Sequence, residues 1–302
     1  MTAASNAVPM PAGSQVVSTT RLLYWSIRRE LWEHSSLYIA PLAAGGVFLI
    51  GFLFYLFRLP NQVRMTLGAH PMHQHSSLDE PYLMAFGLLM LTAMLVGTFY
   101  SLDALHGERR DRSILFWKSM PVSDLTVVLS KAAIPIFVLQ FIAFLVAVTL
   151  MWIMFFLSCA VLLASGSGLA QFWSMLPIVQ MSFMLLYHLV ILHGLWHAPF
   201  YGWMLMVSAW ARRAPFLWAV LPPLAIAIVE KLIFNSSHFV GMLLYHLGGS
   251  PNNSSRSGDF MDMLGHFEPG KLLSEPGLWT GLAATAVFLV VAARLRRQRA
   301  PL

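Results

Sequence analysis

HGERRDRSILFWKSMPVSD (106–124) places seven charged side chains and a proline between two long apolar runs, FGLLMLTAMLVGTFY (86–100) and the stretch opening at Leu125. Apolar types make up 58% of the 302 residues and charged types 11%, where a soluble domain carries about 25%. Several runs approach the roughly 20 apolar residues that cross a bilayer. The charged segment therefore reads as a connection outside the membrane, and the chain as an all-α polytopic membrane protein.

Working outward, six transmembrane helices follow from the apolar runs, at about 39–57, 81–102, 125–155 or beyond, 174–210, 214–234 and 278–293. RLLYWSIRRELWEHSSLY (21–38) mixes arginines with tryptophans and reads as an interfacial helix. Four basic clusters test the count: Arg21/Arg28/Arg29, Arg109/Arg110/Arg112/Lys118, Arg212/Arg213 and Arg294/Arg296/Arg297/Arg299. If all are cytoplasmic, an even number of crossings must separate neighbours. Six spans give two, two and two, with both termini inside. Residues 174–210 are too many for one straight helix, so HAPFYGW (197–203), with Pro199 and Gly202, predicts a break or kink. The outer loops fall at 58–80, about 158–173 and 235–277. In the last, SSHFVGMLLYHL (236–247) predicts a short helix before a glycine- and serine-rich stretch. Residues 1–20 read as a disordered lead rather than a signal peptide, and 21–302 as one membrane domain.

Within 106–124, a charged head, Glu108-Arg109-Arg110-Asp111-Arg112, precedes an apolar body with Ile114, Phe116 and Trp117. Met120-Pro121 closes it, and Ser123-Asp124 is set to cap the next helix. Such a short, mixed-charge, aromatic surface suits a protein groove better than an anionic bilayer, which would select mostly Lys and Arg.

FYSLDALHGERRDRSILFWKSMPVSDLTVVLSK (99–131) resembles the signature region of the type-2 ABC transporter permeases, the membrane subunits of ABC exporters. The matching residues are Glu108, Arg109, Arg110, Ser113, Ser119, Pro121 and Ser123, followed by Lys131. The resemblance implies a cytoplasmic coupling helix at about 106–122 between spans two and three, seated in an ABC ATPase subunit. It further implies a homodimer of the permease in the cytoplasmic (inner) membrane of a bacterium. This chain would not itself be an enzyme and would need no cofactor; ATP and Mg would sit on the partner ATPase. Glu108, Arg109, Arg110 and Arg112 would make charged contacts at the groove rim, with Phe116 and Trp117 as apolar anchors and Pro121 closing the segment. Asp103 would pair with Arg109 or Lys131. GHFEPGKL (265–272) has the spacing of a phosphate-binding loop, but Leu272 stands where Ser or Thr should meet magnesium, and no strand precedes it.

Other chemistry is weaker. His70, His73 and His75 share AHPMHQHSS (69–77), where three imidazoles offer a weak zinc or copper candidate; no metal is expected. His188, His193 and His197 lie in the fourth apolar segment and suit interhelical hydrogen bonds or a path lining. Glu230 ends span five, to snorkel or to line an exit. The basic excess sits at span ends, as topology places it, so nucleic acid is not an expected partner and the lipid bilayer is. A secondary transporter or channel is the alternative reading; it requires polar groups at mid-membrane. The nearly neutral spans favour an apolar or amphipathic cargo.

Overall fold

Without water at membrane depth, each backbone N–H and C=O in an apolar run must find its partner within its own helix. A computed structural model describes residues 19–68, 78–113, 122–166, 172–173, 176–248 and 273–298, and no strand occurs among them. Six of the described helices are long and apolar enough to cross a membrane: Ser36–Leu56, Glu80–Arg110, Asp124–Ala164, Ile178–Trp196, Pro215–Phe234 and Pro276–Gln298.

In chain order the elements are α1 (Thr19–Glu33), α2 (Ser36–Leu56), α3 (Leu59–Gly68), α4 (Glu80–Asp103) and α5 (His106–Arg110). The third span comprises α6 (Asp124–Ala133), a π-helical turn Ile134–Val138, and α7 (Leu139–Ala164). The fourth comprises α8 (Ile178–Leu186), a π-helical stretch Tyr187–His193 and α9 (Gly194–Trp196). After a turn at His197 it continues as α10 (Ala198–Trp210), and α11 (Pro215–Phe234), α12 (His238–Gly248) and α13 (Pro276–Gln298) complete the set. Residues 1–18, and with them most of the expected lead, lie outside the described residues.

The fourth apolar segment is helical on both sides of a turn at His197. Its start, α8, packs on α7, while its last carbonyls, Ala209 and Ala211, meet Arg109 of α5. The break falls at His197; Pro199 sits in the first turn of α10, where its missing N–H costs little. Gly202 stays helical. It brings α10 against Thr285 of α13, whose methyl carbon would lie 3.3 Å from an added Cβ. α3, within the stretch expected as the first outer loop, was not foreseen; its Leu59 and Val63 are buried, while Asn61 and Arg64 are exposed.

Spans three and four meet through their π-helical segments. An added Cβ on Gly194 would lie 2.3 Å from the Ile136 carbonyl oxygen, so only glycine lets the backbones approach this closely. The widened turn leaves the Pro135 carbonyl to accept from Gln140 Nε2 at 3.1 Å. Gln140 also reaches the Tyr201 hydroxyl, 3.5 Å away. On the far side of that ring, span two contributes Gly97, where a Cβ would meet Tyr201 at 2.9 Å. The centre of the bundle is thus closed by shape around Tyr201.

Gly194→Val should force the two spans apart and cost about 1–3 kcal/mol, as overpacking does. Gly46→Ala, which meets nothing within 4 Å, should be neutral or slightly stabilising. Thermal unfolding of both variants in detergent checks this; equal melting temperatures would remove the close-approach account.

Candidate functional site

A charged side chain in so apolar a protein must find an opposite charge or reach water. At the basic end of the bundle five of them form a continuous chain. Lys131 Nζ lies 2.7 Å from Glu30 Oε1 and 3.2 Å from Glu108 Oε1. Glu108 Oε2 lies 3.3 Å from Arg296 Nη2, and Arg296 closes the chain on Asp124. Glu30, Glu108, Lys131 and Arg296 are all nearly inaccessible; Asp124 is half-buried at the rim. Four elements supply the five charges: α1, α5 and α13 give one each, and α6 gives one in its first turn and one in its last. Asp124 is free for this role because Ser123, its neighbour, takes the cap position and accepts from Thr126 N at 3.1 Å.

Around the chain, neutral groups complete the coordination. Tyr100 Oη donates to Glu30 Oε2 at 2.8 Å, and His34 approaches the same oxygen. Burial works to raise the Glu30 carboxyl, but the Lys131 ammonium, its hydrogen bond and that of Tyr100 outweigh it and hold the group below its ordinary value.

The head of the 106–124 segment grows directly out of this knot. Span two ends at Asp103, and the Leu105 and His106 amides that open α5 both donate to Ser208 Oγ, at 3.1 and 2.9 Å. Arg109, 2% exposed, donates through Nη1 to the carbonyls of Ala209 and Ala211 at 2.9 and 3.1 Å. A cation therefore sits on the C-terminal end of α10, where it meets both orphan carbonyls and the negative end of the helix dipole. Glu108 and Arg109 are accordingly not at a groove rim. Pairing within the chain is what permits their burial, and it leaves Arg110, Asp111 and Arg112 as the exposed members of the charged head. Asp103 pairs with neither Arg109 nor Lys131; it lies 3.8 Å from Arg110. The described part of the expected coupling helix is also shorter than 106–122. α5 stops at Arg110, and Arg112 adopts a left-handed backbone, φ 60°, which no α-helix continues through. Phe116, Trp117 and Pro121 lie outside the described residues.

All four basic clusters are drawn to this end through Glu30, Arg109, Ala211 and Arg296. The even number of crossings between them is thus present in the packing.

The remaining candidates fall elsewhere. His197 places Nε2 3.2 Å from the Leu247 carbonyl of α12, an interhelical contact, and Nδ1 2.9 Å from the His193 carbonyl. His188 turns to Met184 in its own helix. His193 is fully buried with neither ring nitrogen hydrogen-bonded, its ring 4.1 Å from that of His197. Glu230 caps α12: its carboxylate accepts from Ser236 Oγ at 2.7 Å and from the His238 and Phe239 amides at 2.8 and 2.9 Å. His70, His73 and His75 lie outside the described residues, among which no metal-holding cluster occurs.

Sequence reasoning missed Glu30, Tyr100 and Ser208, and took Arg296 only as part of a basic tail. One signal existed for Glu30. It stands four residues after Ser26, on a helix face away from Trp25 and Trp32, and so points toward protein rather than the interface.

No protein-family model matches the chain, and no curated protein matches it significantly.

Lys131→Met should leave Glu30 and Glu108 short of a buried counter-charge and cost about 3–5 kcal/mol. Arg110→Ala, at the surface, should stay within about 0.5 kcal/mol of the parent. Unfolding in detergent distinguishes them. Glu30 also predicts an acid limit for the docking of α1. Its carboxyl titrates below the ordinary value of 4.5, so the contact contributes above that value and is lost as pH falls through the lowered one. Hydrogen exchange along α1 should rise only in that acid window, and Glu30→Gln should erase the pH dependence.

Proposed function

We propose that this chain is the membrane-spanning subunit of an ATP-driven ABC exporter, coupled through residues 106–122 to an ATPase carried on a separate chain. The basic end of the bundle is then cytoplasmic, and two copies of the chain frame the translocation path in a bacterial inner membrane. The observation that carries this reading is the buried connection of Glu108 to Lys131 and Arg296. It ties the root of the charged segment to spans three and six by ion pairs, and Arg109 ties it to span four. A push on the exposed part of the segment is thereby delivered to three spans at once instead of being absorbed by a slack loop. Arg110 and Arg112 meet the ATPase groove, with Phe116 and Trp117 as anchors. ATP and Mg act on the partner, whose closure tilts the spans and alternates access. A cargo of apolar or amphipathic character suits spans with so few charges.

A secondary transporter is the second reading. Gln140, Tyr201 and His193, all fully buried in spans three and four, are the observation that favours it, since ion or proton coupling needs polar groups at depth.

Affinity purification of the tagged chain from native membranes tests the first reading. A Walker-type ATPase should co-purify, and should be lost on Arg110→Glu, Arg112→Glu or Trp117→Ala. Glu108→Gln should retain the ATPase but separate hydrolysis from transport. Glu108→Lys is a poorer choice, because the new ammonium would meet Lys131 and Arg296 and disrupt folding. A monodisperse preparation without any such ATPase overturns the proposal. Gradient-driven flux by the chain alone in proteoliposomes would then establish the second reading.

A further inference from the structure

Span five is fastened at its ends and stands away from the bundle between them. At the basic end, Trp203 Nε1 donates to the Ala219 carbonyl at 3.0 Å, and Trp210 meets Trp218 edge-on with ring centroids 4.6 Å apart. At the other end, Glu230 grips the N-terminus of α12. That helix is itself held down by Trp196 Nε1 on the Tyr245 carbonyl at 3.1 Å and by Tyr245 Oη on Glu275 at 2.6 Å. Along the whole of α11 only Ala219 is buried. Between the two fastenings a partly open cavity of about 320 Å³ separates α10, α11, α12 and α13.

Its walls include Phe200 and Trp203 of span four, Pro223 and Ile226 of span five, Met242 of α12 and Phe288 of span six. Three polar side chains reach it, Trp203, Thr280 and His246, and the Trp203 N–H is already given to Ala219. Thr280 Oγ1 donates to the Gly277 carbonyl at 3.0 Å, and the His246 ring lies between the Met242 and Gly277 carbonyls. Water at such a site needs two to four polar partners, and the walls are almost wholly apolar. Leaving the space empty would forfeit the dispersion contacts of every wall atom. Its size falls within the range of ligand pockets, about 300–1,000 Å³.

We propose that this cavity binds the hydrocarbon chain of a membrane lipid, inserted between spans four, five and six beneath α12. The surroundings identify the occupant. The opposite face of span five, with Leu217, Leu221, Leu224, Ile228 and Leu232 all bare, is the surface a bilayer would cover, and Ile226 and Met242 of the cavity's own lining are exposed as well. A lipid tail satisfies walls that ask for contact and no hydrogen bond. The tail serves as a wedge that keeps span five apart from span six, with α12 as its roof. The site stands whether or not an ATPase docks at the opposite end.

The test reconstitutes the full chain in phosphatidylcholine vesicles doped with a phosphatidylcholine bearing a diazirine midway along one acyl chain. After photolysis, mass spectrometry maps the adducts. The expected map shows adducts on the half-buried Phe200, Trp203 and Phe288 as well as on bare residues such as Leu221 and Phe234. Ala284→Trp, which fills the cavity, should abolish the first set and keep the second, whereas Ala283→Trp on the exposed side of α13 should preserve both. Should Ala284→Trp fail to fold, Ile226→Trp fills the same space from span five. Adducts confined to bare residues in the parent chain, as when a second copy seals the cavity, overturn the proposal. So do cavity adducts that survive the filled variants.

Discussion

The ion chain Glu30–Lys131–Glu108–Arg296–Asp124 is the constraint on which the basic end depends. None of its buried members can be left alone, because an uncompensated charge in such surroundings costs more than most packing contacts return. Each therefore dictates where another helix must end. Lys131 cannot satisfy two carboxylates unless α1 lies across the start of span three and α5 folds back from span two. Arg296 cannot be buried unless span six finishes beside both. The network is weak evidence for added stability, since apolar replacements of equal shape are often as good. Its contribution is register. It rejects any arrangement in which one of the four elements has slipped by a turn.

This explains why the charged segment of the sequence is divided in use. Adjacent residues Arg109 and Arg110 have opposite fates: one closes the C-terminus of α10 from inside, and the other lies at the surface beside Asp103 and Asp111. A helix shorter than two turns supplies the change of direction, and the left-handed Arg112 ends it. The buried half of the head anchors and the exposed half is offered outward.

The six spans were legible because burying twenty apolar residues admits one backbone solution, and the parity of the basic clusters was legible because it needs only a count. The α12 helix was visible from its apolar run, and the cap at Ser123 from its local spacing. What the sequence concealed is pairing at long range. Glu30 and Lys131 are 101 positions apart, and Arg296 and Glu108 are 188 apart, so nothing local opposed the rim position that the resemblance implied for Glu108 and Arg109. Glu230 invited a snorkelling account because the amides it receives belong to a helix not yet placed. The π-helical turns left no composition signal beyond Pro135, since the wider hydrogen-bond pattern depends on the neighbouring span and its Gly194.

Different physics holds the molecule at different depths. Ion pairs lock the basic end, where four elements share one set of charges. At the centre, spans two, three and four are interlocked by shape, with Gly97 and Gly194 permitting approaches that no other residue would tolerate. Neither device reaches span five between its two fastenings, and α12 hangs on a few hydrogen bonds and ring contacts. Packed interiors resist small displacements and shift only between discrete arrangements. Any rearrangement driven from the basic end must therefore travel through spans three, four and six as rigid pieces. It is taken up where packing is thinnest, in the half of span five away from the basic end and in the helix that roofs it.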